Sequence, residues 1–500
     1  MVLEKILPAK SPWLQLLFWA LALFHLFIPL YNHFLFRTYS YDYAVYNFAF
    51  YDFAHFRVSA VPLYHAPYPI TFLQDHFSLL LPLLSPLYWV LSPVAGTYSL
   101  LVIQWAFIVA GAVFTFRLVK QKAVNDLLPA CSLIFYFLLY GRFSAYRSDV
   151  NLAIMGSALI PVFLYYFQAR RKLPYVIVTV ILFITREDFS FWLIFIGLFL
   201  AIEYRRNKQL RQRALLLSLL STAFFVLSMA VLIPFFLENE NKKFSLFEYK
   251  HALGEDPASA IRYLVHDPVR VFQLLFINHL PDNFYNNIKA EFYLFYFFCG
   301  GFLLFTRPHF LIPFIPLLAK KMLNDNPVRW GMHSYYAVEV VSILPILLFI
   351  ILAGFNGRRS AILAPLLCVM ALLLTIIRME WQPVNAILSE DNKYRIFNSA
   401  FYRPEYNTAA LRELIRKIPD DTDVSASNRL TPHLAYRPSI KLFPGKSDVG
   451  YVLLTKRGDT FPLSQEAYDA EVDAMRNSPA IWAVRYENEK FICFRGVADP

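Results

Sequence analysis

From Leu14 to Ile377 the sequence alternates apolar runs with polar connections, and outside the stretch Tyr41 to Ser78 its ionisable residues stand almost entirely at the ends of those runs. A backbone in hydrocarbon has no water to bond to, so each run must close its own hydrogen bonds, as a helix does. A chain of 500 residues that is 57% hydrophobic and 18% aromatic is not an ordinary soluble globule. With 49 Phe and 31 Tyr against 15 Gly, the fold class expected is mainly α, a polytopic helical membrane protein with broad aromatic interfaces. The net charge of +11 comes from basic clusters between the runs; it is read as loop bias at a membrane, with no nucleic-acid partner. Cys131, Cys299, Cys368 and Cys493 are scattered without metal-ligand spacing.

The first run, Leu14 to His33, has no small-residue cleavage site and is expected to stay as a span. Residues 34–96 then form an outer loop. Within it Tyr43, Tyr46 and Phe50, and likewise Val45, Phe48, Ala49 and Asp52, recur at helical spacing, as in a helix lying on the membrane surface. His76 to Leu91, with Pro82 and Pro86, reads as a second interfacial or re-entrant helix. The further spans are Thr97 to Phe116, Leu127 to Gly141, Val150 to Phe167, Leu173 to Thr185, Phe189 to Ile202, Ala214 to Leu237, Phe292 to Phe305, Pro308 to Ala319, Tyr335 to Ala353 and Ser360 to Ile377. These eleven spans put the basic clusters at Arg117 to Lys122, Arg170 to Lys172, Arg205 to Arg213, Arg307 and Arg358 to Arg359 on the cytoplasmic side, as the positive-inside rule requires. Lys320 and Lys321, at an outer end, run against it. Several runs fall short of the roughly 20 residues that a crossing helix needs.

Composition changes at Arg378. Two domains are expected: 1–377 in the membrane, with outer loops 34–96 and 238–291, and 378–500 as a small α/β domain that an odd number of spans places outside the cell membrane. In the latter Asn407 to Ile418 and Ser464 to Arg476 read as helices. Asp423 to Ser427, Ile440 to Phe443, Val449 to Thr455, Trp482 to Tyr486 and Lys490 to Phe494 read as strands.

Under this topology the chemistry gathers on the outer side. The stretch from Tyr41 to Ser78 carries Asp42, Asp52, Asp75 and His76 among aromatics, with His55, Arg57 and His65. The next outer loop has Arg142, Arg147, Asp149 and Asn151; the third has Arg186, Glu187 and Asp188. The fourth has Asp325, Arg329, His333, Tyr335 and Tyr336. Ionisable groups at a bilayer are costly, so their clustering points to function. Carboxylates can activate a hydroxyl or hold a divalent cation, and arginines match phosphate oxygens two at a time. A phosphate leaving group on a membrane lipid would need both. The plainer alternative is a wet surface helix after the first span, with Arg147–Asp149 and Arg186–Asp188 serving as ion pairs at helix ends. Glu339, inside a span, is either a buried hydrogen-bonding carboxylate or part of a transport path. There is no Gly-rich phosphate loop, HExxH, CxxC or GxSxG motif.

The segments YDYAVYNFAFYDFAHF, DHFS followed by PLLSPLYWVLSP, SDVN, TREDFSFW, HSYY and IPDDTDVSASNRLTPHLAYRPSIKLFP, in that order, resemble domain-of-unknown-function family 2079, predicted membrane proteins grouped with the GT-C glycosyltransferases. The similarity runs from about Phe34 into the C-terminal domain. It implies a multispan enzyme that takes sugars from a polyprenyl-phosphate-linked donor on the outer face. Asp42 matches that superfamily's first-loop aspartate, a general base or metal-organising residue, and Asp149 its second acidic position. The chain departs from the family pattern at Asn151, where histidine is common, at Arg186, where lysine is, and near Asn47, where an acidic residue often stands. A divalent metal ion is the one cofactor that the resemblance leaves open.

The reading is therefore an inverting integral-membrane glycosyltransferase. Asp42 and Asp149 are its catalytic candidates, and His76, Arg142, Arg147, Arg186, Glu187, Asp188, His333 and Tyr336 hold substrate and phosphate. The C-terminal domain either helps bind the acceptor or caps the site. The rivals are a transporter or lipid flippase, against which there is no internal repeat and no pair of broken spans in matching halves, and a non-catalytic membrane scaffold.

Overall fold

The computed structural model describes residues 11–58, 63, 71–75, 77–236, 248–380, 392–456 and 458–497. The apolar runs fold as helices: α1 (Pro12–Phe34), α2 (Val45–Ala54), α3 (Ser99–Lys120), α4 (Leu127–Leu138), α5 (Leu152–Gln168), α6 (Lys172–Thr185), α7 (Glu187–Glu203), α8 (Lys208–Leu227), α9 (Ile288–Phe298), α10 (Ile315–Met322), α11 (Val338–Ala353) and α12 (Gly357–Glu380). Among the described residues four stretches are long and apolar enough to cross a membrane: Pro12–Phe34, Leu80–Lys120, Lys208–Phe236 and Gly357–Glu380. A fifth results if Leu127–Leu138 and Tyr140–Ser148, bent by 44°, count as one. This is fewer than the eleven runs of the sequence, because α5, α6 and α11 are apolar but only 17, 14 and 16 residues long, and because the backbone is punctuated after α9. Gly300, at φ +104°, ends α9 before a 3-10 segment, Gly301–Thr306, and Pro308, Pro313 and Pro316 hold the next run to a 3-10 segment and the short α10. Residues 80–95 are helical and part from α3 at Gly96, whose φ of +50° suits glycine.

The chain divides into two compact units. The first comprises Met1–His25, Gln104–Arg147 and Leu152–Phe401. Its core joins Phe18 and Ala22 of α1, Ile108, Ala112 and Phe116 of α3, Leu133 and Phe137 of α4, Ala153 and Ile154 of α5, and Val338 of α11. Small residues set the closest approaches. A Cβ on Gly197 of α7 would stand 2.8 Å from the Ala214 carbonyl of α8, and Ser218 Oγ donates to the Ile194 carbonyl at 2.9 Å across the same contact.

The second unit comprises Leu26–Ile103, Ser148–Asn151 and Tyr402–Pro500. Its strands are β1 (Val424–Ala426), β2 (Ile440–Leu442), β3 (Tyr451–Thr455), β4 (Trp482–Glu487) and β5 (Phe491–Gly496), in the order β2-β1-β3-β5-β4. β1 runs parallel to β2 and β3, and β5 runs antiparallel to β3 and β4. Two helices flank it, α13 (Thr408–Arg416) and α14 (Gln465–Arg476). Asn407 and Ser464 cap them by accepting the Ala410 and Ala467 amides. Tyr468, Val472 and Met475, one face of α14, close over Val452, Leu454, Ile492 and Phe494.

In this unit α2 departs from the surface helix that its spacing suggested. Val45, Tyr46, Asn47, Phe48, Ala49, Phe50, Asp52 and Ala54 are all buried. A helix apolar on nearly every side belongs inside a protein, and this one has Tyr46 against Phe72, Phe50 against Tyr88 and Tyr51 against Tyr436.

Candidate functional site

Asp42 and Asp149 both fall in the second unit. Asp42 is half-buried on a single π-helical turn, Ser40–Ala44, a form that recurs at functional sites. Asp149 is 1% exposed, and its φ of +53° lies in the left-handed region that Asp tolerates better than most residues. Its Oδ2 accepts the Tyr39 amide at 3.2 Å, three residues before Asp42. From the C-terminal domain Asn428 Oδ1 accepts the next amide, that of Ser40, at 2.8 Å, while Asn428 Nδ2 donates to Asp459 at 2.6 Å. Arg429 lies 5.6 Å over the Tyr39 ring and pairs with Glu405 at 2.5 Å. The segment that delivers Asp42 is thus held at two successive amides. Asp52 is occupied elsewhere, paired with Arg57 at 2.7 Å. His76 lies outside the described residues.

The remaining candidates fall in the first unit. Arg186, extended at φ −163°, precedes α7, and Glu187 and Asp188 fill that helix's first turn, where its dipole favours carboxylates. Arg186 pairs with Asp188 at 2.7 Å, as the helix-end reading anticipates. The network goes further, because Lys320 of α10 bridges Asp188 at 2.8 Å and Glu339 of α11 at 3.0 Å. Burial opposes the Lys320 charge, but those two carboxylates outweigh it and raise its pKa above the ordinary lysine value. Its neighbour Lys321 donates to the carbonyls of Gly331 and Tyr336, and burial pushes it down to about 7. Both lysines are used inside the fold, which is why they misfit a count of basic loops. Glu339 is accordingly a paired, buried carboxylate.

Arg142 is fully buried, not part of an open loop. Its guanidinium lies 4.4 Å over Tyr136 and 3.3 Å from Ser342 Oγ, one helical turn beyond Glu339, while Nε and Nη1 have no hydrogen-bond partner among the described residues. His333 is 7% exposed. Burial first, then the charges of Arg378, Arg147 and Lys321, push it down to about 3, so it is a neutral imidazole that can donate a hydrogen bond but brings no charge. The Tyr336 ring lies under Arg329, which pairs with Glu248 at 2.7 Å.

Several members of this cluster were not signalled by the sequence. Lys393 is fully buried and donates to the Arg147 carbonyl at 3.0 Å, Tyr140 bonds Tyr394 at 3.2 Å, and Arg378 pairs with Glu291 at 2.5 Å. The signal available was the density of Lys, Tyr and Arg at 393–395. Of Arg142, Lys321 and Arg378, only Arg378 is in ion-pair contact with a carboxylate among the described residues. Lining the cluster is therefore an excess of buried cationic groups around one neutral histidine. As for a metal, no three His, Cys, Asp or Glu side chains among the described residues come together to hold one.

The family described as predicted membrane protein (DUF2079) matches residues 32–473. No curated protein matches the chain.

Proposed function

The chain belongs to this family of predicted membrane proteins, and from that premise we propose that it is an inverting glycosyltransferase of GT-C type. It takes a sugar from a polyprenyl-phosphate donor at the outer face of the cell membrane, with its C-terminal domain on that side. The observation that carries the reading is the cation-rich cluster of the first unit. Buried guanidinium and ammonium groups are costly unless an anion meets them. Arg142, whose Nε and Nη1 have no hydrogen-bond partner among the described residues, is such a group; Arg147 and Arg378, the latter shared with Glu291, and the N–H of His333 supply the fork-shaped and neutral donors that a phosphate takes. An anion bound beside Lys321 would also raise that lysine from about 7 and restore its charge.

In the reaction proposed, a general base, the role that the resemblance gives to Asp42, takes the proton of the acceptor hydroxyl as its oxygen attacks the anomeric carbon. The bond from that carbon to the phosphate oxygen breaks with inversion, and the departing lipid phosphate keeps the electron pair. Electrostatic stabilisation of that charge by preorganised donors supplies much of the rate. Asp149 serves by holding the Tyr39 amide and with it the turn bearing Asp42.

The test uses the full chain in lipid nanodiscs titrated with undecaprenyl phosphate. Saturable binding that weakens at least tenfold in Arg147→Ala and Arg378→Ala is expected. Equal binding by wild type and both folded variants would remove the phosphate site and the reading with it.

A further inference from the structure

At the other end of α7 from Arg186 and Asp188, about 25 Å along a helix of this length, lies a cavity of about 650 Å³. Phe195, Leu198 and Ile202 of α7, Leu215 of α8, and Ile312 and Ile315 form its walls. Leu198, Ile202, Leu215 and Ile315 are exposed. Two further lining residues are charged, Arg205 just past the end of α7 and Arg211 in the first turns of α8. Neither is paired with a carboxylate among the described residues. Glu203, two residues before Arg205, is already bonded to His309 at 2.9 Å. From Tyr204 to Phe236 the sequence has no Asp or Glu, while Arg205, Arg206, Lys208, Arg211 and Arg213 crowd its first third. The groove therefore combines an apolar trough with two unneutralised guanidinium groups at one rim.

We propose that this groove binds an anionic membrane phospholipid, its acyl chain along the α7–α8 trough and its phosphate between Arg205 and Arg211. A free phosphate would leave the apolar walls in contact with water or with a headgroup that does not fill them, and a zwitterionic lipid would leave two guanidinium charges without a net partner. An anionic phospholipid meets both halves, and basic pockets between helices are where such headgroups bind. The site is separate from the proposed catalytic cluster and does not depend on it.

The full chain in detergent, incubated with equal amounts of dioleoyl-phosphatidylglycerol and dioleoyl-phosphatidylcholine, is examined by native mass spectrometry. Wild type is expected to retain phosphatidylglycerol with a preference of about tenfold, since each basic group near an anionic lipid contributes appreciably. The preference should vanish in Arg205→Gln/Arg211→Gln, fall in Leu198→Trp, which fills the trough without touching charge, and persist in Arg206→Gln/Lys208→Gln, which removes equal charge outside it. Equal retention of the two lipids by wild type, a preference that survives Arg205→Gln/Arg211→Gln, or equal loss in the control pair would overturn the site. Displacement of phosphatidylglycerol by an equal amount of undecaprenyl phosphate in the variant Arg147→Ala/Arg378→Ala, which lacks the proposed catalytic phosphate site, would overturn the occupant.

Discussion

Asp42 differs from Asp52 of the same loop in how it is held. Asp52 is spent on Arg57, whereas Asp42 is half-buried on a turn whose preceding amides are fixed by Asp149 and Asn428. Asp42→Asn keeps the shape and removes the charge. It should lower sugar transfer by roughly 100-fold to 10,000-fold, the range of a lost general base, and move stability by about 1 kcal/mol or less. Transfer by reconstituted protein together with its melting temperature checks this, and near-normal transfer by the variant would exclude Asp42 as the base. The arginines divide in the same way. Arg186 is committed to Asp188, a pairing that lysine can keep, so Arg186→Lys should retain activity. Arg147→Lys should lose at least tenfold if its planar fork grips phosphate. A complementation assay reading both variants as wild type would count against that role. The residue types of the site were legible because charge near apolar runs is rare. Their states were not: that His333 is neutral and Arg142 fully buried depends on neighbours brought from distant runs.

At the scale of elements, the network of α7, α10 and α11 shows how a loop count can mislead. Lys320 follows an apolar run like any topology signal, yet Asp188 and Glu339 claim it. Glu339→Gln leaves Lys320 with one carboxylate and should cost about 1–3 kcal/mol, seen as a lower melting temperature. The double variant Lys320→Met/Glu339→Gln should cost less than the sum of the single changes, because the two share one interaction. Additive losses would mean that the pair is not coupled. Helix positions were legible from apolar runs to within a few residues. Their lengths were not, since Gly300, Pro308 and Pro313 break runs that hydropathy alone joins. For α2 the spacing correctly marked a helix, but aromatic residues on all its sides meant burial in place of a wet face.

Over the whole molecule, the strands and helices of the C-terminal sheet stand within a few residues of where alternation and capping signals put them, with Ser464 and Asn407 as observed caps. The sequence did not reveal that residues 402–500 form one unit with residues 26–103, because that depends on contacts such as Arg37 with the Arg403 carbonyl at 2.7 Å and the stacked rings of His33 and His433 at 3.9 Å. Burial sets a pH response common to both units. It is the largest cause lowering His333 and His433 to about 3 and His279 to about 4. Between their unfolded value of about 6.5 and those folded values, the unfolded chain binds more protons than the folded one, so stability falls as pH falls. Glu291, raised by burial, opposes this near its own range but is a single group. The melting temperature at pH 5 should therefore lie below that at pH 7.5, and His333→Gln should shrink the difference. A melting temperature that rises on acidification would contradict the burial of these imidazoles.

The 14 residues of α6 span only about 21 Å, against a hydrocarbon layer of about 30 Å. Leu173, Val176, Ile177 and Val180 on this helix are exposed and apolar, so lipid tails are their natural neighbours. A helix of that length can cross only where the bilayer is locally thinned, at a cost that rises with each ångström of native thickness. In a heterogeneous membrane that cost favours regions of short acyl chains for any crossing by α6.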